Sequence, residues 1–255
     1  MSVDGVARSN QASLLELCSW LNQSSTGSLI INMGKRENMG NKPKVSNAII
    51  RRLPRYRRYL GYLQTKGVKK VSSNELSEMI GYTASQIRQD LNTFGEFGQQ
   101  GYGYEVDKLY KEINRILGLD REYRTVVVGV GNLGQAITNY TYYYKIGFNI
   151  MGLFDVNPKI IGNWINDVEV MDCSRLEEYV RKEGIDIGII CVNRENAQEV
   201  ADSLIEGGVK GIWNFAPIDL VVPEGVAIES VHLSDSLHAL SFMIKNMDPE
   251  SDRNR

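Results

Sequence analysis

Gly129-Val130-Gly131-Asn132-Leu133-Gly134 decides how the second half of this chain folds. The six residues follow an apolar, β-branched run, Val126-Val127-Val128, and lead directly into a helical pattern, Leu133 to Tyr144. Three glycines at this spacing, between strand and helix, form a loop that accepts a pyrophosphate. The first permits a tight turn, the second lets a phosphate approach the backbone, and the third lets helix and strand pack closely. The helix N-terminus then presents its free amides to the anion. Gly129, Val130, Gly131, Asn132, Leu133 and Gly134 are therefore candidate cofactor contacts. Asp155 stands 21 residues after Gly134, at the end of the next apolar run, Ile150 to Phe154. A carboxylate there accepts hydrogen bonds from ribose hydroxyls and repels a 2′-phosphate, so the spacing favours NAD(H) over NADP(H).

Outward from this loop, short apolar runs alternate with helical stretches. Thr125 to Val130, Asn149 to Phe154, Ile185 to Val192, Gly211 to Phe215 and Val226 to Val231 read as strands. Leu133 to Tyr144, Arg175 to Lys182 and Glu195 to Glu206 read as the helices between them. That alternation predicts a Rossmann-like α/β domain with a parallel sheet over 121–233. A last segment, 234–255, holds a helix from Asp235 to Met247 whose apolar face is Leu237, Leu240, Ile244 and Met247.

The segment 45–120 follows a different pattern. Ile49, Ile50, Leu53, Tyr56, Leu60 and Leu63 form a helical stripe. Within it Pro54 predicts either a kink or the true first turn, because proline lacks an N–H and crowds the turn before it. Ser72 and Glu75 have the spacing of a capping box and open a second helix, which Gly81 ends. Thr83 and Gln86 repeat that spacing before a third helix, Ala84 to about Asn92. Two short helices joined by Gly81-Tyr82-Thr83 read as a helix-turn-helix whose second member enters a major groove. Phe94 to Tyr104 alternates glycine with aromatic and polar residues and suits a hairpin wing along the phosphates. Glu105 to Leu117 is then an amphipathic helix. Between Lys42 and Leu117, fourteen Lys or Arg stand against seven Asp or Glu, a balance of +7 in a chain of net charge -2. A basic module joined to an acidic remainder suggests a polyanion partner. Residues 1–44, rich in Ser, Asn and Gly, read as a disordered extension.

At 255 residues, 42% hydrophobic and 24% charged, the chain has the composition of a globular protein of two domains. No apolar run reaches the ~18 residues of a membrane span, and the first residues lack the order of a signal peptide, so no membrane association is expected and the expected compartment is the cytoplasm. Cys18, Cys173 and Cys191 are odd in number and lack CxxC spacing, which argues for free thiols and against a disulfide framework or a metal site. His232 and His238 are the only histidines. The α/β pattern is used up by one short nucleotide-binding domain, leaving no segment for a substrate, and this argues against an enzyme. The competing reading is an NAD-dependent oxidoreductase with a basic N-terminal oligomerisation domain.

From about Ser46 to Met247 the chain resembles the Rex family of redox-sensing transcriptional repressors. The residues that carry the resemblance include Val71-Ser72-Ser73-Asn74-Glu75-Leu76, Thr83-Ala84-Ser85-Gln86-Ile87-Arg88, Phe94-Gly95-Glu96-Phe97-Gly98, Gly101-Tyr102-Gly103-Tyr104, Gly129 to Gly134, Phe154-Asp155-Val156 and Gly211 to Pro217. The resemblance implies a homodimer that binds a palindromic operator in double-stranded DNA and releases it when NADH binds, with NADH or NAD acting as an effector that is not turned over. It implies that the C-terminal helix is exchanged between subunits. Asn214, Phe215, Ala216 and Pro217 would lie near the nicotinamide, and Tyr140, on the helix after the glycine loop, would respond to its redox state. The residues set against DNA are Ser85, Gln86, Arg88 and Gln89 of the recognition helix, Gln100 and Tyr102 of the wing, and Arg58. Three positions depart from the family pattern. Gln89 and Gln100 stand where basic residues are usual, which alters base preference and lowers salt dependence, and His232 stands where some members have a carboxylate.

Overall fold

The computed structural model describes residues 45–95, 97–99, 102–140 and 142–247. The extension 1–44 with Cys18, the wing residue Gln100, and the tail after Met247 lie outside the described residues. The chain divides into two compact units, with the boundary between Arg121 and Glu122.

The first unit opens with helix α1, Asn47–Thr65, which starts at the N-cap Ser46. Leu53, Tyr56, Leu60 and Leu63 are buried, whereas Ile50 is 46% exposed, so the expected apolar stripe reaches the core only from Leu53 onward. Pro54 lies in the helix interior and not in its first turn. It offers no N–H to the carbonyl of Ile50, a loss offset by the four buried side chains around it.

A short strand β1, Lys70–Val71, precedes α2, Ser73–Ile80. The capping box is complete: Ser72 Oγ accepts from the Glu75 amide at 3.1 Å and Glu75 Oε2 from the Ser72 amide at 2.7 Å. Gly81, at φ 81°, ends the helix in the left-handed region. Helix α3, Ala84–Asn92, is capped by Thr83, but the Gln86 side chain does not reach back to close a second box. It points instead to Asp90.

Strands β2, Gly98–Gln99, and β3, Gly103–Glu105, form the wing hairpin, and β1 adds to it antiparallel in the order β1-β3-β2. Glu105 pairs with Lys70 in this sheet, so the last helix of the unit, α4, is Val106–Ile116 and starts one residue later than the pattern predicts. Gly103 is required where β1 crosses, because at φ 70° a Cβ would stand 2.7 Å from the Val71 carbonyl oxygen. Four helices and a wing around one core make this unit a winged helix.

The second unit contains β4 Tyr123–Val128, α5 Asn132–Asn139, α6 Tyr142–Lys145, β5 Phe148–Asp155, β6 Trp164–Ile165, β7 Val168–Asp172, α7 Leu176–Glu183, β8 Ile187–Ile190, α8 Ala197–Gly207, β9 Gly211–Asn214, β10 Ala227–Ser230 and α9 Leu233–Met247. The sheet order is β10-β9-β8-β4-β5-β7-β6. All neighbours are parallel except the β6–β7 pair. After β4 the successive strands are added on one side and from β8 onward on the other, so the switch point, where open α/β sheets bind ligands at the carboxyl ends of their strands, lies between β4 and β8. Successive residues of β4 serve opposite faces, Val126 and Val128 with the cluster of Val180 and Leu204, and Val127 with Ile137 and Phe215.

Two features depart from the sequence pattern. The helix expected over Leu133 to Tyr144 breaks at Tyr140, whose ψ of 86° is not helical. The hairpin β6–β7 has no counterpart in the predicted elements. Its two-residue turn holds Asn166 at φ 46° and Asp167 at φ 63°, the left-handed pair of a type I′ turn. Asn166 Nδ2 donates to the Thr138 carbonyl at 3.1 Å, satisfying an oxygen that the broken helix leaves without a partner from the next turn.

Candidate functional site

The glycine loop is built by three different steric demands. Gly129 sits at φ 90°, and a Cβ there would meet the Cys191 carbonyl oxygen at 2.6 Å. A Cβ on Gly134 would stand 1.9 Å from the Gly129 carbonyl oxygen, so α5 can approach the strand only without one. At Gly131 nothing lies within 4 Å of the missing Cβ. The fold therefore demands two of the glycines and leaves the third beside open space at the N-terminus of α5, where the amides of Asn132, Leu133 and Gly134 begin the helix. This is a cradle that fits the pyrophosphate of a dinucleotide.

Asp155 closes the loop from the next strand. Its Oδ2 accepts from the Val130 amide at 2.7 Å and its Oδ1 from the Asn157 amide at 2.8 Å. A carboxylate offers about four acceptor positions, so two remain for hydroxyl donors. Holding the loop through Val130 is a role that spacing alone did not reveal.

Tyr140 and Phe215 are brought into one aromatic series. Tyr140 lies 4.9 Å from Tyr143, Tyr143 stands edge-on to Trp213 at 5.7 Å, and Trp213 leans on Phe215 at 4.6 Å. Tyr143 and Trp213 were not singled out from the sequence; the run Tyr142-Tyr143-Tyr144 after the glycine loop was the available signal. Asn214 is fully buried and turned away from this series. Its Nδ2 donates to the Ile218 carbonyl at 2.9 Å and its Oδ1 accepts from the Ala216 amide at 2.9 Å, so its side chain shapes the turn through Ala216 and the exposed Pro217. Burial pushes the thiol of Cys191 up to about 12, and burial with the charges of Asp155 and Asp172 pushes that of Cys173 up to about 11. Both are neutral, unreactive thiols. His232 Nε2 faces Asp219 Oδ1 at 3.6 Å.

In the winged helix, Ser85, Arg88 and Gln89 lie on the exposed face of α3. The Arg88 guanidinium donates to Ser73 Oγ at 2.8 Å and Ser85 Oγ at 3.1 Å, which fixes its direction from the start of both helices. Gln86 donates from Nε2 to Asp90 at 2.8 Å. Asp90 is fully buried and was not anticipated as a structural centre. It accepts from Arg52 Nε at 2.6 Å, Arg52 Nη2 at 2.7 Å and the Tyr56 hydroxyl at 2.6 Å, tying α3 to α1. Burial alone would raise the Asp90 carboxyl, but the hydrogen bonds from Arg52, Tyr56 and Gln86 hold it below its ordinary range. Burial and Asp90 raise the Tyr56 hydroxyl. On the wing, Tyr102 is 68% exposed with Lys70 Nζ 5.3 Å above its ring. Arg58 is exposed on α1, over the ring of Tyr59.

The C-terminal helix α9 carries Leu237, Leu240 and Ile244 as expected, but also exposes Phe242 and Met243, each more than half accessible. Among the described residues no helix is long and apolar enough to cross a membrane, and no group of three or more His, Cys, Asp or Glu is placed to hold a metal ion.

A winged helix and a Rossmann-like dinucleotide cradle in one chain define the class of nucleotide-responsive DNA-binding proteins. Residues 44–92 match the family described as a putative DNA-binding protein N-terminus, and residues 120–218 that described as a CoA binding domain. The chain is 58% identical over 206 residues to the redox-sensing transcriptional repressor Rex of Thermoanaerobacter pseudethanolicus, covering 81% of this chain and 92% of that one. It is 56% identical to the repressor of the same name from Clostridium kluyveri, covering 82% of this chain and all of the relative. Among solved structures it is similar to the Rex-family repressor RSP in complex with β-NAD+ and operator DNA, at TM-score 0.77 and 57% identity over 80% of this chain and 94% of that one. The complex of RSP with β-NADH gives TM-score 0.75 and 54% identity over 81% and 97%. The chain belongs to the Rex family of redox-sensing transcriptional repressors.

Proposed function

We propose that this chain represses transcription by binding palindromic operator DNA as a homodimer in the cytoplasm, and that NADH releases it. The observation that carries the reading is the pairing in one chain of a braced helix-turn-helix with a cradle whose Gly131 leaves room for a phosphate. The relatives support it, since one solved complex holds NAD+ with operator DNA and another NADH. In this reading residues 45–120 bind DNA, 121–233 bind the dinucleotide, and 234–255 carry the helix exchanged between subunits.

The residues divide accordingly. Backbone amides from Gly131 to Gly134 hold the pyrophosphate, Val130 lines the loop with its own amide given to Asp155, and the two open acceptor positions of Asp155 take the ribose hydroxyls. Tyr140, Phe215, Ala216 and Pro217 border the nicotinamide, with Asn214 shaping their turn. Ser85, Arg88 and Gln89 face base edges, while Arg58, Gln100 and Tyr102 lie along the backbone. Gln86 has one amide hydrogen committed to Asp90; its oxygen and its second amide hydrogen are left for DNA. The dinucleotide acts by binding and not by hydride transfer. Exposed apolar side chains on α9 are costly in a lone chain, and a second subunit would cover them.

A ligand shifts a two-state protein only by its different affinity for the two states, so NADH must bind the DNA-released state more tightly, and operator must weaken NADH by the same factor, typically ~1–3 kcal/mol. The test is NADH titration with and without a saturating inverted-repeat duplex selected by the protein. A five-fold or larger loss of NADH affinity is expected, and identical affinities would leave a protein that binds both ligands without sensing either.

A further inference from the structure

The arginines of α1 are not equivalent. Arg52 is committed to Asp90, and Arg57 Nε donates to Asn114 Oδ1 at 2.5 Å. Arg55 has no such anchor. Its Nε is buried without a hydrogen-bond partner, and its guanidinium lies over the ring of Tyr82, with Cζ 5.1 Å from the centroid. No carboxylate pairs with it among the described residues. Tyr82 is itself fixed, edge-on to Tyr56 at 6.0 Å, between the helix-ending Gly81 and the N-cap Thr83. The ring thus holds the guanidinium beside the entry to the recognition helix. A cation partly withdrawn from water onto an aromatic face, with no internal anion to compensate it, is pre-ordered for an anion from outside. Arginine's planar fork matches phosphate oxygens.

We propose that Arg55, on the platform of Tyr82, contacts a phosphate of the DNA backbone. The inference rests on the operator-binding reading above and adds a contact that no base pattern would reveal, since phosphate contacts carry no sequence information. It also supplies charge to a recognition surface whose Gln89 brings none.

The experiment measures affinity against potassium chloride concentration for the full chain, on the duplex it selects from a randomised pool and on a random duplex of equal length. Each phosphate contact contributes about 0.9 to the slope of log affinity against log salt. Arg55→Gln should make the slope shallower by about that amount per contact on both duplexes, so that its deficit relative to the unchanged protein shrinks about 3.5-fold per contact between 50 and 200 mM salt. Arg55→Lys, which keeps the charge, should keep the slope. An unchanged slope for Arg55→Gln overturns the proposal, as does a loss confined to the selected duplex, which would make Arg55 a reader of bases. A shallow slope for Arg55→Lys overturns it too. The calorimetric transition of the winged-helix unit, measured on each variant, serves as the check of folding. If the unchanged protein binds neither duplex, the operator-binding reading itself fails and the proposal falls with it.

Discussion

Replacing Asp90 by Ala should destabilise the winged helix strongly while leaving the dinucleotide unit intact. The carboxylate has no solvent exposure and receives four hydrogen bonds, two from Arg52, whose side chain is 20% exposed, and one each from Tyr56 and Gln86. Its removal leaves a largely buried guanidinium and a buried hydroxyl without their acceptor. Breaking a buried pair from one side costs about 3–5 kcal/mol, far more than the net worth of the pair, because the surviving charge is stranded. In a domain of ~60–100 residues each kcal/mol moves Tm by about 4–8 °C, so the transition should fall by about 12 °C or more. Asp90→Asn keeps the shape and should cost less, on the order of 1.5–3 kcal/mol for the weakened charged hydrogen bonds. The double change Arg52→Met, Asp90→Leu should recover much of the loss, since apolar residues of similar volume can replace a buried pair. Calorimetry resolves the two units, and NADH titration reports the second independently. Because the fold holds the Asp90 carboxyl below its ordinary value, its stabilisation is fully present above the unfolded carboxylate pKa of about 3.9 and is lost as pH falls through the lower folded value. A loss under ~1 kcal/mol for Asp90→Ala, or one that equally disables NADH binding, would refute the bracing role.

The other expectations concern the second unit. Gly134→Ala should abolish NADH binding and lower that unit's Tm, because its Cβ would fall 1.9 Å from the Gly129 oxygen. Gly131→Ala should fold normally and weaken only the dinucleotide, so equal thermal losses in the two variants would contradict the division of labour among the glycines. Asp155→Ala should weaken NADH, narrow its preference over NADPH, and destabilise the unit by about 1–3 kcal/mol through the orphaned Val130 amide. Equal affinities for NADH and NADPH in the unchanged protein would remove Asp155 from the ribose. Leu237→Asp with Ile244→Asp on α9 should convert a dimer to a monomer in light scattering while NADH still binds. A dimer that survives both changes would place the subunit contact elsewhere.

Much of this protein is written locally. The capping box at Ser72 and Glu75, the left-handed Gly81, and the strand–glycine–helix order around Gly129 each depend on residues a few positions apart, so a linear reading finds them. The order of the other strands and of the helices is equally legible, because burial on both faces of a parallel sheet forces continuous apolar runs; the β6–β7 hairpin at the sheet edge, where only Val170 is buried, has no such run. What the sequence could not decide is which polar groups meet. Asp90 finds Arg52 from 38 positions away and turns Gln86 inward, making a presumed DNA contact partly a brace. Asn214 faces its own turn, where its side chain accepts from the Ala216 amide. Tyr140 leaves the helix that periodicity assigned to it, and Asn166, 26 positions on, satisfies a carbonyl at the break. Hydrogen bonds of this kind have no periodicity. Their partners are set by how the sheet and helices pack, and only the folded chain brings the donors to the acceptors.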